Sequence, residues 1–204
     1  PGALESYPDS SAIINRYVSE AKCLRAYFYF DLVRQYGNIP LVLDASIALR
    51  GSTDRLLIYD QIEKDLLEAS TSLPKANELS LENKGRMNNG SALAILAKVY
   101  LFRASIETSK STELFTKAYE TAKTVINSGQ FALLPTYNAI WKETADFSAE
   151  GIVEGGQPKP DQYVKMDRAS NSFYISPRQY YKKGSQTIID AFFGYGFLQP
   201  TQDF

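Results

Sequence analysis

The sequence predicts a mainly α-helical fold in which tetratricopeptide-like helix pairs carry long irregular loops. Three observations point there. Four stretches between residues 11 and 127 repeat apolar side chains at helical spacing. Each is bounded by residues that start or stop helices. The third and fourth together make an alanine-rich antiparallel hairpin of about 40 residues, close to the ~34-residue tetratricopeptide unit, though without a clean repeat consensus.

Residues 1 to 9 contain two prolines and a glycine and read as an irregular lead-in. Ser10 or Ser11 can cap the first helix, because a serine hydroxyl accepts from a backbone N–H that has no partner in the first turn. Advancing roughly 100° per residue, Ile14, Tyr17, Ala21, Leu24, Phe28 and Leu32 fall in one stripe, with Glu20, Asp31 and Arg34 opposite. The expectation is a helix to about Tyr36 that buries this stripe. Gly37 closes it in the left-handed conformation, and Pro40, lacking an N–H, forces Ile39 to Leu43 into extended chain.

A connector over 44 to 53 leads to Asp54, a natural cap for the second helix, whose face is Ile58, Tyr59, Ile62, Leu66, Ala69 and Leu73; Pro74 ends it. In the third helix Ala92, Ile95, Leu96, Val99, Phe102 and Ile106 form the main stripe. Leu93, Ala97 and Leu101 make it apolar nearly all round, so it belongs at the centre of the fold. The fourth, from about Ser111 to Asn127, places Leu114, Phe115, Ala118, Ala122, Val125 and Ile126 on one side, and Gly129 closes it. From residue 131 to 204 the chain is rich in glycine, proline and aromatics, with extended candidates only at 151–154 and 173–175.

Composition excludes several functions. The net charge of −1 comes without a block of Lys or Arg, so nothing here would neutralise a nucleic-acid backbone. There is no histidine, which rules out Ser-His-Asp or Cys-His catalysis and histidine-ligated metals within this chain. The single cysteine, Cys23, has no partner for an internal disulfide or a structural zinc site, and its helical position favours a packed thiol. No window reaches the ~18 to 20 apolar residues needed to span a bilayer. Pro1 is not an initiator residue, which is compatible with removal of a leader or anchor.

The wording of the helices carries a resemblance. Glu20-Ala-Lys-Cys-Leu-Arg-Ala-Tyr-Phe-Tyr-Phe-Asp-Leu-Val-Arg-Gln-Tyr-Gly-Asn-Ile-Pro-Leu-Val42 resembles the "EA-x-x-LRA-aromatic-aromatic-aromatic-D-L-V-x-x-YG-x-x-PLV" signature of SusD/RagB-like outer-membrane nutrient-binding proteins. Tyr59 to Pro74 is similar to that family's "evYd-x-I-x-x-DL-x-eA…LP", and Gly85 to Leu101 to its "GR-x-x-kgaA-x-aLLA-x-vYL". Further on, Gly129 to Leu134, Tyr137 to Trp141 and Ser148 to Glu154 resemble "G-x-y-x-Ll…ya-x-lF…seiIfE", and Pro200 to Phe204 looks like the opening of "pT-x-elvdaF". Two positions depart from the pattern: Cys23 and Gly151 stand where larger apolar residues are usual.

The resemblance implies a single SusD-like domain over 1–204, with residues 10–130 as an α/α superhelical scaffold and 131–204 as the loop-rich portion. It implies a chain incomplete at both ends, because family members are longer and begin with a lipoprotein leader. It also implies a surface-exposed outer-membrane protein, lipid-anchored when complete, that captures an oligosaccharide or similar nutrient and passes it unchanged to a TonB-dependent, SusC-like transporter. No enzyme activity and no cofactor are implied. Two other readings stand beside this one: a helical-repeat module that only docks a protein partner, and a glycoside hydrolase built on carboxylates such as Asp60, Glu63, Asp65, Glu68, Glu143, Asp146, Glu150 or Glu154.

For ligand contact, the run Tyr27-Phe28-Tyr29-Phe30 is an unsuitable platform, since four successive helical positions point in four directions. Arg25 beside it reads as a packing residue, and Asp31 with Arg34 as a solvated pair. Trp141 could stack on a pyranose, but its matching position in the family is a packed Phe. The better candidates are Tyr163, Arg168, Asn171, Tyr174, Tyr180 and Tyr181, because loops held by a rigid scaffold leave side chains free for ligands. Tyr stacks and donates a hydrogen bond, and Arg and Asn can bridge adjacent hydroxyls.

Overall fold

The computed structural model describes residues 11–45, 49–80, 83–142, 145, 147–154, 180–183 and 186–189. The chain divides into two compact units, residues 1–155 and 156–204. Among the described residues, the first unit holds four α-helices: α1 (Ser11–Tyr36), α2 (Arg55–Ser72), α3 (Asn89–Ile106) and α4 (Ser111–Asn127). In the second, β1 (Tyr180–Lys183) pairs antiparallel with β2 (Gln186–Ile189), Tyr180 opposite Ile189.

Local chemistry sets the helix boundaries. The Asp54 carboxylate accepts from the Leu56 N–H at 2.8 Å, and the Asn88 side chain accepts from the Ser91 N–H at 3.0 Å; each satisfies a first-turn donor. Gly37 and Gly129 follow α1 and α4 at φ of 70° and 67°, the left-handed geometry that glycine adopts without a Cβ penalty. Between α1 and α2, Ile39 and Thr53 form an isolated antiparallel bridge. Residues 151–154, an extended candidate in the sequence, are irregular; 173–175 lie outside the described residues.

Packing runs from each helix to the next: α1 on α2, α2 on α3, α3 on α4. The core is Cys23, Ala26, Phe30 and Val33 of α1, the whole expected face of α2, Ala92, Leu96, Val99 and Tyr100 of α3, and Leu114 and Ala118 of α4. Phe30 meets Tyr59 and Phe102 edge to face, with ring centroids 6.4 and 5.5 Å apart.

One expectation is reversed. The stripe assigned to the buried side of α1 faces out, with Tyr17, Leu24, Phe28 and Leu32 exposed, while Ser19, Glu20, Cys23, Ala26, Phe30 and Val33 are buried. Small residues at 19, 23 and 26 let α2 come close. Glu20 tolerates burial because two arginines neutralise it: Arg16 Nε donates to it at 3.0 Å, and Arg86, from the loop before α3, donates through Nε at 3.0 Å and again through Nη2. A buried charge is acceptable only when paired in this way.

The carboxylates of α2 are held in the same way. Asp65 is fully buried and takes both arms of Arg25. Asp60 and Glu63 converge with Glu107 on the buried guanidinium of Arg103, at 2.7, 3.1 and 2.7 Å. Glu68 holds Lys22 at 2.6 Å. These carboxylates tie helices together rather than lining a cleft.

Candidate functional site

Two connectors meet beside the N-terminus of α3: residues 74–88, arriving from α2, and residues 128–154, leaving α4. Several hydrogen bonds fix them together. Gln130 accepts from the Ala76 N–H at 2.8 Å, the Ser91 hydroxyl donates to the Ile152 carbonyl at 2.8 Å, and the Asn89 N–H donates to the Pro74 carbonyl at 2.9 Å. The 128–154 segment is folded on itself by the Glu150 carboxylate, which accepts from the Leu134 N–H at 2.8 Å, and the Glu154 carboxylate, which accepts from the Phe147 N–H at 2.5 Å. Between the connectors lies a cavity of about 290 Å³.

Three glycines make this junction possible. A Cβ on Gly85 would sit 2.4 Å from the Phe147 ring, one on Gly90 would sit 2.3 Å from the Phe131 ring, and one on Gly151 would overlap the Glu154 carboxylate. Both phenyl rings therefore lie directly on bare backbone, and both line the cavity. The departure of Gly151 from the family pattern has the same cause: a bulky residue there would expel the Glu154 side chain that holds Phe147 in place. Phe147 itself sits at φ 55°, the one non-glycine residue with positive φ among those described. Strain of this kind costs of order 1–3 kcal/mol and persists only where surrounding contacts enforce it.

Lys84, Asn77 and Ser148 also line the cavity, and their side chains make no hydrogen bond or ion pair with the described residues. Arg86 also lines it, but it is committed to Glu20, and its guanidinium lies 5.2 Å from the Tyr17 ring centroid. The site thus combines two apolar ring surfaces with free hydrogen-bonding groups.

Trp141 does not pack as the family pattern implies. It is 72% exposed, and Tyr137, 71% exposed, meets it edge to face at 6.0 Å. Both stand on a short 3₁₀ turn and the residues just after it, following α4.

Of the residues favoured from sequence, Tyr163, Arg168, Asn171 and Tyr174 lie outside the described residues. Tyr180 and Tyr181 are on β1, in register with Ile189 and Ile188. The aromatic run of α1 does diverge: Phe30 is buried, Tyr29 is half-buried with its hydroxyl accepting from the Val42 N–H at 2.7 Å, and Tyr27 and Phe28 are exposed. Asp31 and Arg34 do form an exposed pair, at 2.6 Å. Cys23 is fully buried; burial, reinforced by the negative charge of Glu20, pushes its thiol up to about 12, so it is an unreactive packing residue. Among the described residues no cluster of acidic, Cys or His side chains could hold a metal ion, and no helix is long and apolar enough to cross a membrane.

Sequence reasoning passed over Phe131, Phe147, Lys84 and Asn77. The available signal was the pair of glycines at 85 and 90 flanking a helix start, which marks close approach of another element. Nothing local says which side chains make that approach.

The helices pack in sequence and display a loop-built cavity and exposed aromatics. Residues 5–101 match the SusD-like family described as "Starch-binding associating with outer membrane". Over that stretch the chain is similar to the SusD-like family. SusD-like protein P2 of Formosa agariphila is 33% identical over 125 residues, 59% of this chain and 22% of that protein. A SusD homolog from Bacteroides thetaiotaomicron is 31% identical, with a TM-score of 0.60, over 69% of this chain and 27% of the other. A laminarin-binding SusD-like protein is 32% identical, with a TM-score of 0.59, over 74% and 33%. The chain spans about a quarter of the length of the curated relatives it matches.

Proposed function

We propose that this protein captures an oligosaccharide at the outer face of the outer membrane and passes it, unaltered, to a TonB-dependent transporter, the full-length protein being held there by a lipid anchor. The observation that carries the reading is the likeness, at 32% identity, to a solved SusD-like protein that binds laminarin. The rigid helical array supports it, since a capture protein needs preorganised loops rather than moving catalytic groups. The exposed Tyr137 and Trp141 rings offer flat apolar surface for the C–H face of a sugar. We further assign ligand contact to Tyr163, Arg168, Asn171, Tyr174 and Tyr180.

Calorimetric titration of the chain with laminarin oligosaccharides and a panel of other soluble glycans tests the reading. The expected result is saturable binding with the oligosaccharide recovered intact. Tyr174→Ala weakens that binding while leaving thermal stability nearly unchanged; unchanged affinity removes Tyr174 from the site. Absence of glycan binding together with co-purification of a β-barrel partner would make the protein a docking module. Release of shorter products, abolished by a single carboxylate substitution, would make it a hydrolase.

A further inference from the structure

We propose that the cavity between the 74–88 and 128–154 connectors seats a single pyranose ring of the captured glycan. This rests on the glycan-binding reading and assigns it a place in the helical unit, apart from the residues beyond 155.

Size, chemistry and backbone geometry agree on this occupant. Sites for drug-sized ligands run from roughly 300 to 1,000 Å³; at about 290 Å³ this one takes one ring and not a chain. A pyranose has an apolar C–H face and a girdle of hydroxyls. The cavity answers both, with Phe131 and Phe147 among its lining residues beside the unengaged Asn77 amide, Ser148 hydroxyl and Lys84 ammonium. A planar aliphatic or fully apolar ligand would leave those three groups stranded. A phosphate or sulfate alone would leave the rings unused, and Arg86, the other cation lining the cavity, is already held by Glu20.

The backbone adds a separate argument. Phe147 adopts φ 55°, disfavoured for a bulky residue, and is kept there by the Glu154 carboxylate on its N–H and by the bare backbone of Gly85 under its ring. A purely structural turn would put glycine at this position, as the chain does at 37, 85 and 129. A phenyl ring retained at a glycine-like φ is explained by what the ring contacts.

The test is saturation-transfer NMR on the whole chain with methyl β-D-glucopyranoside, methyl β-D-galactopyranoside, methyl β-D-mannopyranoside and methyl β-D-glucuronide at millimolar concentration. At least one should receive saturation, strongest at its ring C–H protons. Phe147→Gly relieves the backbone while deleting the ring, and Asn77→Ala trims an exposed side chain; each should weaken that pyranoside at least five-fold with an unchanged circular dichroism spectrum. Wild-type chain that binds oligosaccharide but none of the four pyranosides overturns the cavity assignment and leaves the glycan reading standing. Wild-type chain that binds neither overturns both. Both variants binding the pyranoside as tightly as wild type places the site elsewhere and also overturns the proposal.

Discussion

Arg25 of α1 grips the buried carboxylate of Asp65 on α2 with two hydrogen bonds, Nε to Oδ2 at 2.8 Å and Nη2 to Oδ1 at 2.7 Å, while Gln61 donates to the same carboxylate at 2.9 Å. The pair is asymmetric: the aspartate side chain is 2% exposed and the arginine 32%. Removing one partner therefore has unequal effects. Arg25→Leu strands a buried charge and should cost about 3 kcal/mol or more. Asp65→Asn leaves an arginine that can turn to water and should cost less, about 1–2 kcal/mol, near the desolvation penalty of one imperfectly matched polar group. Urea unfolding of the two variants checks the order; equal or inverted losses would contradict it.

The glycines separate conformation from contact. At Gly37 a Cβ meets nothing within 4 Å, so Gly37→Ala carries only the left-handed penalty of about 1–2 kcal/mol. Gly85, at φ 86°, combines that penalty with a clash against Phe147. Gly90 is helical and carries the clash with Phe131 alone, an overpacking cost of about 1–3 kcal/mol. The measured losses should thus be greatest for Gly85→Ala, and Phe131→Ala should relieve the Gly90→Ala defect in a double-mutant cycle.

Tyr59 is fully buried, and its hydroxyl has no hydrogen-bond partner among the described residues. Burial accordingly raises its pKa above the ordinary phenol value. An unsatisfied buried hydroxyl is a liability of about 1–3 kcal/mol. Tyr59→Phe keeps the ring against Phe30 and removes the liability, so the variant should melt at or above the wild-type temperature. A loss of more than about 1 kcal/mol would mean that the hydroxyl is bonded after all.

Acid should weaken three glutamate ion pairs in a defined window. Glu68, Glu107 and Glu113 are each held below the ordinary glutamate value of 4.5, first by hydrogen bonds from Lys22, Lys110 and Lys117 respectively, with Arg103 adding to the effect at Glu107. A carboxylate with a depressed folded-state pKa contributes stability that is fully present above its unfolded value and disappears as pH falls through the folded one. The melting temperature should therefore hold from neutral pH down to about 5 and drop below about 4.5. Glu107→Gln should lower it at pH 7 and flatten the drop between pH 5 and 3.

All four helices were legible from sequence because caps, glycines and prolines act within a few residues of the boundary they set. Asp54 needs only Leu56, and Gly37 needs only its own freedom of φ. The buried side of α1 was not legible, since it depends on Arg86 reaching Glu20 across 66 positions and on Arg25 reaching Asp65 across 40. Apolar periodicity counts side chains and cannot register a neutralised charge, so it chose the more apolar and wrong side. The cavity escaped for a related reason: Gly85 and Gly90 announce a close approach, but the rings that approach them come from residues 131 and 147, beyond any local rule.

Because each helix leans chiefly on its sequence neighbours, the array has edges. The largest fully buried side chains concentrate on α2 and α3, in Tyr59, Ile58, Ile62, Leu66, Leu96 and Val99, whereas α4 buries only Leu114, Ala118 and Val125. Amide hydrogen exchange should follow that gradient, slowest along the inner pair and quickest in α4, whose opening frees the chain at Gly129 without disturbing α2. The 128–154 segment hangs from that least protected helix. Its tether to Ser91 and Ala76 on the slow-exchanging side would then hold the ring-lined wall in place while the helix behind it breathes.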